Sequence, residues 1–269
     1  MSECTVTEAG HAACLSPRMK QSSASVWTRL AKGLAGALLA ATVAQAARVA
    51  LGVRRANAFS SRAQKYARLL EHPSHRFLIV GDSTGVGLGA VSIDDSIAGR
   101  LALDFPQASI ENRAELGARV ACVLGQLAAV DEGYDAVLIA AGGNDILRRT
   151  PYGDLRDALE AVITRARQVA PLVILVNSGN VGGAPLFGWP LSILLSRRSL
   201  QVRRIFVQTC RRLRARFVNL TFAPCRDPFG RQQRLYFAAD GLHPSSAAYG
   251  YCYDLLKRRT RLTRLLAAA

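Results

Sequence analysis

The segment FLIVGDS, residues 77–83, determines the predicted fold. Its four apolar residues run without interruption and stop at a glycine, a pattern typical of a strand buried on both faces of a sheet. The serine that follows, Ser83, then lies at a strand-to-helix turn, where its side chain is held exposed above the sheet. The segment therefore predicts the first strand of a parallel sheet, with Ser83 beyond its carboxyl end.

Short apolar runs alternate with helical periodicity along the rest of the chain. Four more strands are predicted, at 109–112, 136–140, 172–176 and 217–220. Helical spacing predicts helices at 94–104, 118–130, 153–169, 192–215 and 244–259. This alternation predicts an α/β protein with three layers, in which helices cover both faces of a parallel five-stranded sheet. In such sheets functional groups gather beyond the carboxyl ends of the strands.

The composition is that of a globular protein with a strong excess of positive charge. The chain has 269 residues, of which 50% are hydrophobic, enough for one well-buried domain and an appendage. Its 35 Lys and Arg against 19 Asp and Glu give a net charge of +16. That balance favours anionic partners such as membrane headgroups, nucleic acid or acidic polymers.

The arginine-rich segment 192–215 allows two interpretations. A basic amphipathic helix lies on anionic lipid, whereas a helix that covers the sheet turns the same arginines towards solvent. Few aromatic residues accompany the arginines, so nucleic acid is not an expected partner. The apolar loop before it, PLFGWPL at 185–191, predicts either an acyl-chain pocket or lid, or packing on the core.

The cysteines do not form a metal-binding pattern. None of the six belongs to a CxxC pair, and no histidine stands at ligand spacing from any of them, so no metal site is predicted. If the domain is exported, a disulfide between Cys210 and Cys225 is an alternative. Free thiols are the favoured interpretation.

The predicted domain spans residues 76–260. The segment that precedes it divides into three parts. Residues 1–32 lack hydrophobic periodicity and are expected to be a disordered tail. Residues 33–53 predict an apolar helix, and 54–75 a polar, partly helical linker. A second short tail is expected at 261–269.

The apolar helix favours a membrane-targeting role. Its uncharged part, 33–47, is short for a bilayer span, which takes about 20 residues. It has the length of a signal-peptide core, and Ala44-Gln45-Ala46 resembles a cleavage site. A signal, an anchor and an alanine-rich helix packed on the domain all stay open. Membrane association or export to the periplasm or the exterior is therefore expected, with a cytoplasmic protein as the alternative.

Two more polar motifs follow predicted strands. GGND at 142–145 offers the Asn144 amide, a neutral donor that suits a developing oxyanion. The alternative is that Asn144 or Asp145 caps the following turn, which is common for these residues. DGLHP at 240–244 lets the Asp240 carboxylate accept from one nitrogen of His243, leaving the other to take a proton from Ser83. Each motif alone is weak, since Ser83 alone is explained by a helix N-cap and His243 by a surface position.

Together, GDS at 81–83, GGND at 142–145 and DGLHP at 240–244 resemble the motifs of the GDSL-type or SGNH hydrolases, over roughly 76–256. The resemblance implies a flavodoxin-like three-layer fold. It implies that Ser83 is the nucleophile, His243 the base and Asp240 its orienting partner. It further implies an oxyanion hole made of the backbone N–H groups of Ser83 and Gly117 and the Asn144 side chain, with no cofactor.

A serine esterase or lipase acting on small-molecule esters or lipids is therefore the leading hypothesis. A carbohydrate O-deacetylase or a thioesterase would use the same site. A hypothesis of a different class is a non-catalytic basic protein that binds membrane or nucleic acid. Neither the acyl specificity nor the oligomeric state follows from the sequence.

Overall fold

The five apolar segments pair into one parallel sheet in the order β2-β1-β3-β4-β5. The strands are β1 (His75–Gly81), β2 (Ala108–Asn112), β3 (Ala136–Ala141), β4 (Leu172–Asn177) and β5 (Arg216–Val218). The winding direction reverses between β1 and β3, which opens a crevice outside the carboxyl ends of these strands. The prediction of a three-layer α/β fold with a parallel five-stranded sheet is confirmed.

The computed structural model describes residues 18–61, 63–130, 133–260 and 262. The first helix is α1 (Arg18–Ser60), and nine helices follow among these residues. They are α2 (Ser83–Val86), α3 (Ile97–Asp104), α4 (Val120–Gln126), α5 (Gly143–Leu147), α6 (Tyr152–Val169), α7 (Leu191–Arg212), α8 (Pro228–Arg231), α9 (Gln233–Tyr236) and α10 (Ser246–Thr260). Single turns of 3₁₀ helix lie at Ile93–Asp95, Val181–Gly183 and Pro224–Arg226.

Alternate residues of each strand enter opposite layers, because successive side chains of a strand point to opposite faces. Leu78 and Val80 pack with the buried faces of α4, α6 and α7. Phe77 and Ile79 pack with α3 and α10. The continuous apolar runs of the sequence therefore reflect two cores, one on each face of the sheet.

Helix α7 covers the sheet. Its apolar side chains, among them Val202, Ile205 and Phe206, are buried in the core. Of its arginines, Arg198 lies over the Tyr152 ring with its guanidinium carbon 4.7 Å from the centroid. The segment is therefore a covering helix whose outer face is rich in arginine. Ile193, Leu194 and Leu200 are exposed on it, and its association with a lipid surface stays a prediction.

Strand β5 ends earlier than the predicted 217–220. The Asn219 side chain accepts a hydrogen bond from the Thr221 N–H at 3.1 Å, which turns the chain. The Leu220 N–H donates to the Asn177 side chain at 2.7 Å instead of to a strand. A local side-chain bond thus replaces the last step of the strand pairing.

The chain divides into two compact units, Met1–Ala44 and Gln45–Ala269, and α1 contributes residues to both. Helix α1 corrects one expectation, since 18–32 are helical rather than a disordered tail, and its last residues, 54–60, form the helical part of the expected linker. Leu262, expected in the second tail, is buried. Residues 1–17, 261 and 263–269 of the expected tails lie outside the described residues.

Within α1, the stretch Val26–Ala58 is long and apolar enough to cross a membrane, with a mean hydropathy of 1.6. Signal sequences share this property. In the first unit its large apolar side chains are exposed: Val26, Trp27, Leu30, Leu34, Leu38, Leu39 and Val43.

Four cysteines lie among the described residues and all are free thiols: Cys122, Cys210, Cys225 and Cys252. The alternative of a disulfide between Cys210 and Cys225 is therefore wrong, since both cysteines are free. Cys4 and Cys14 lie outside the described residues.

Candidate active site

A cavity of about 120 Å³ lies beyond the carboxyl ends of β1, β3 and β4. Three of the five predicted site residues, Ser83, Asn144 and His243, line it. Asp240 lies behind His243, and Gly117 belongs to the loop after β2, outside the lining. The crevice at the reversal of the sheet is thus where the predicted side chains come together.

Asp240 and His243 form a hydrogen-bonded pair in the loop before α10. The Asp240 carboxylate, whose side chain is fully buried, accepts from His243 Nδ1 through Oδ2. Its other oxygen accepts from the backbone N–H groups of Leu242 at 2.9 Å and His243 at 3.0 Å. Since a carboxylate only accepts, the proton of the neutral ring is assigned to Nδ1, and Nε2 is the nitrogen that can take a proton.

The surroundings of Asp240 keep it ionised. Burial alone would raise the pKa of this carboxyl group, but the bond and charge of His243 and the two backbone N–H groups outweigh burial and lower the pKa below its ordinary value. A carboxylate that stays charged holds the ring in one orientation and stabilises its protonated form.

The turn that carries Ser83 is fixed by a glycine and a buried amide. Gly81 has a φ of +135°, and a Cβ there would lie 1.9 Å from the carbonyl oxygen of Ala140. The Gln126 side chain accepts from the Gly81 N–H at 2.7 Å and donates to the Gly81 carbonyl at 2.9 Å. Only glycine fits this approach of β1 to β3.

Asp82, not Ser83 or Thr84, is the N-cap of α2. Its carboxylate accepts from the Thr84 N–H at 2.9 Å. Ser83 is thereby the first helical residue, with a half-buried side chain that lines the cavity. The N-cap alternative for Ser83 is wrong because its neighbour already fills that role.

Asp82 is itself an unusual acid. It is 2% exposed, and this burial raises its pKa from the ordinary 3.8 to about 6. The hydrogen bonds from Thr84 and the charge of His243 lower it only in part. A carboxyl group that titrates near pH 6 therefore stands directly beside Ser83.

Asn144 is oriented by the loop after β2. Its side-chain nitrogen donates to the carbonyl of Ala118 at 3.0 Å, which leaves the second amide hydrogen for a ligand. Gly117 precedes Ala118 and has a φ of +73°. The bond therefore ties Asn144 to the loop that holds Gly117, although Gly117 itself does not line the cavity.

The two glycines before Asn144 let α5 approach its neighbours. A Cβ at Gly142, where φ is +114°, would lie 2.9 Å from the Phe206 ring. At Gly143 it would lie 3.0 Å from the Ser178 hydroxyl oxygen. Asp145 accepts from the Val120 N–H at 2.9 Å and so caps α4.

Two positioning residues were not predicted from the sequence, Gln126 and Asn112. The Asn112 side chain donates to the Gly85 carbonyl at 3.0 Å and accepts from the Ala114 N–H at 3.1 Å. Both side chains are buried polar groups that hold the turn of Ser83. Gln126 among apolar helix positions was the one available signal, but its partner at Gly81 lies 45 residues away.

The apolar loop 185–191 contributes nothing to the lining of this cavity. Leu186 is buried, and its N–H donates to the carbonyl of Gly241 at 3.0 Å. Phe187 packs against the core. Of the two interpretations of this loop, packing on the core is the one that the structure supports.

The chain matches the GDSL-like lipase/acylhydrolase family over residues 79–251, which is more than half of its length. None of the curated proteins matches it. The chain is similar to solved structures that share its fold at low identity. One is a member of the lipolytic protein G-D-S-L family from Veillonella parvula, 16% identical with a TM-score of 0.55, over 68% of this chain and 96% of that one.

Two more structures have the same fold. One is Axe2, an acetylxylan esterase from Geobacillus stearothermophilus, 18% identical with a TM-score of 0.52, over 70% of this chain and 94% of that one. The other is an extracellular lipase from Streptomyces rimosus, 18% identical with a TM-score of 0.53, over 69% of this chain and all of that one. The family match and the shared fold agree, and this chain belongs to the GDSL-like lipase/acylhydrolase family.

Proposed function

We propose that the chain is a serine hydrolase that cleaves carboxylic esters through an acyl-enzyme on Ser83. The observation that carries the proposal is the buried Asp240–His243 pair, whose ring lines one cavity with Ser83 and Asn144. A nucleophile, a base held in one tautomer and an amide donor are the parts that acyl transfer requires.

The reaction follows from these positions. His243 Nε2 takes the Ser83 proton as Oγ attacks the ester carbonyl, and a tetrahedral intermediate forms. The Asn144 amide and the backbone N–H group of Ser83 donate to its oxyanion. The protonated ring, stabilised by Asp240, then gives its proton to the departing alcohol. Water repeats the sequence and releases the acid and free Ser83.

The cavity favours a small acyl group. Its volume of about 120 Å³ lies well below the roughly 300–1,000 Å³ of pockets that hold drug-sized ligands. Most of its lining beyond the polar edge is apolar, including Leu147, Val181, Leu220, Phe229 and Leu242. We therefore expect acetyl to butyryl esters to react faster than long-chain esters.

A panel of p-nitrophenyl esters tests the reaction and the chain length together. The wild type is expected to hydrolyse acetate and butyrate with a higher kcat/KM than octanoate, and Ser83→Ala is expected to be inactive on all three. Equal rates for the wild type and Ser83→Ala would refute the serine mechanism. A wild type that prefers octanoate would refute the small acyl pocket.

The same panel separates the alternatives. An acetylated xylo-oligosaccharide and an acetyl thioester present the same acyl group with a carbohydrate or a thiol as the leaving group. A kcat/KM at least tenfold above that of the simple ester identifies an O-deacetylase or a thioesterase. A folded wild type that hydrolyses none of them supports the non-catalytic binding protein instead.

We further propose that the first unit associates with a membrane surface. The support is its run of exposed apolar side chains, among them Leu34 at 67% and Leu38 at 50% exposure. Burying such side chains in lipid is favourable by about 1.5–3 kcal/mol each. The full-length chain is expected to sediment with vesicles of mixed neutral and anionic lipid.

Paired substitutions test this association. Leu34→Glu with Leu38→Glu is expected to release the protein from vesicles. Leu103→Glu changes a leucine of similar exposure, 71%, on α3 and is expected to leave sedimentation unchanged. Equal sedimentation of both variants would contradict the proposal.

A further inference from the structure

We propose that Gln45–Arg55 of α1, here named the docked segment, is retained in the mature protein and positions the loop of Asp240 for catalysis. This inference rests on the proposed function, since it concerns the orienting partner of the proposed base. All the residues involved belong to the second unit, Gln45–Ala269. The segment overlaps the sequence Ala44-Gln45-Ala46, which resembles a signal-peptide cleavage site.

The first contact is a two-ended amide clamp at Gln45. Its side-chain nitrogen donates to the Leu186 carbonyl at 3.1 Å, and its side-chain oxygen accepts from the Gly188 N–H at 2.6 Å. One amide thus satisfies a donor and an acceptor of the backbone of the loop 185–191. Cleavage next to Ala46 would remove this clamp and leave both backbone groups without their partner.

The second contact is a close approach at Gly52, which is buried. A Cβ there would lie 2.2 Å from Leu186 Cδ1 and 3.2 Å from the backbone carbonyl oxygen of Asp240. Any side chain at Gly52 must therefore displace Leu186, the Asp240 backbone, or both.

The third contact involves the carbonyls on either side of Asp240. Arg55 Nη1 donates to the Ala239 carbonyl at 3.1 Å. The Leu186 N–H, in the loop held by Gln45, donates to the Gly241 carbonyl at 3.0 Å. The carbonyls on both sides of Asp240 are thus held, one by the docked segment and the other by the loop that it clamps.

These contacts place the docked segment behind the carboxylate that orients His243. The front of the loop is fixed by the bonds from Asp240 to Leu242 and His243. The back is fixed by the docked segment. A displacement of the loop by about 1 Å misaligns the ring and lowers the rate by up to about 10²-fold. Gln45, Gly52 and Arg55 are accordingly positioning residues.

Gly52→Val tests the inference, with Gly153→Val as its matched control. Both glycines are helical, so the substitutions change helix propensity in the same direction, but a Cβ at Gly153 meets no atom within 4 Å. Gly52→Val is expected to lower kcat by about 10- to 100-fold, with KM within about twofold of the wild type because the acyl cavity lies elsewhere. Gly153→Val is expected to match the wild type. Equal kcat values for the two variants would overturn the inference.

A double-mutant cycle with Asp240→Asn distinguishes a positioning role of Gly52 from a general loss of stability. If Gly52 acts through Asp240, Gly52→Val is expected to change kcat by less than about twofold when Asp240 is already replaced by Asn. A full loss of 10-fold or more in that background would overturn the inference. Should Gly52→Val not fold, Gln45→Ala takes its place in the same cycle, since it only removes the clamp. If the wild type does not hydrolyse esters, the proposed function is contradicted. If the wild type is active but the effects of the two substitutions on kcat are additive, only this inference is contradicted.

N-terminal sequencing of the mature protein gives an independent readout. The inference predicts that Gln45 is retained. A mature chain that begins after Ala46 and keeps the full kcat of the unprocessed protein would overturn it.

Discussion

Replacing Asp82 by Asn is expected to change how stability depends on pH. Burial raises the pKa of Asp82 to about 6 in the folded protein, against 3.8 in the unfolded chain. The folded state therefore holds this proton more tightly, and the resulting stability is fully present below pH 3.8 and lost as pH rises through 6. The difference between the two pKa values corresponds to about 3 kcal/mol. About 2 kcal/mol of this falls between pH 4.5 and pH 7.5.

Urea unfolding at a series of pH values measures this effect. Asn keeps the shape of the side chain and the oxygen that accepts from Thr84, so the variant should fold. The free energy of unfolding of the wild type, minus that of Asp82→Asn, is expected to fall by about 2 kcal/mol from pH 4.5 to pH 7.5. Asp157→Asn, an exposed position on α6, serves as the control and should follow the wild type. Parallel pH curves for the wild type and Asp82→Asn would refute the reasoning.

Three other substitutions have direct consequences. Asn144→Ala is expected to lower kcat by about 10²–10³ with little change in KM, because one oxyanion donor is lost; ester kinetics with an unchanged kcat would argue against this role. Gly81→Ala brings a Cβ to 1.9 Å from the Ala140 carbonyl oxygen, so we expect little soluble protein, and a soluble variant with a native circular dichroism spectrum would be a contrary result. Gln126→Ala leaves the Gly81 N–H without its partner, whereas the Gly81 carbonyl still accepts from the Glu115 N–H at 3.0 Å, and the loss is expected to lower the free energy of unfolding by about 1–3 kcal/mol. In urea titrations the exposed Gln168→Ala should cost less than about 0.5 kcal/mol, and similar losses for both would contradict the clamp.

The sheet was predictable because its strands are buried on both faces. A run such as FLIV at 77–80 has no polar alternation, and the structure explains this by two cores, one on each side. The end of β5 was not predictable from the same rule. It depends on Asn219, whose side chain bonds locally to Thr221 and stops an otherwise apolar segment.

Helix α1 was underestimated for a related reason. The predicted helix covers only 33–53, where apolar residues dominate, but arginine and lysine are good helix formers and continue the helix to residues 18 and 60. The contacts of its last turns with the loops of 185–188 and 239–241 are long-range. No local pattern in the sequence predicts these contacts.

The candidate site, like the fold, was predictable from the sequence only in part. Ser83, Asn144 and His243 could be grouped from the sequence, because each follows a strand whose carboxyl end lies at one edge of the sheet. The residues that hold them could not. The Gln126 side chain meets Gly81 only after folding, and the Asn144 amide meets the carbonyl of Ala118 in another loop.

Covalent labelling by a fluorophosphonate probe is the sharpest test of whether Ser83 is the nucleophile. The native full-length protein is treated with the probe, and the modified peptide is identified by mass spectrometry. Ser178, whose side chain lines the same cavity, provides an internal comparison. One adduct is expected, on Ser83, and it is expected to be absent from Ser83→Ala. An adduct on Ser178, equal labelling of Ser83→Ala, or no labelling of the folded wild type would contradict the role of Ser83 as nucleophile.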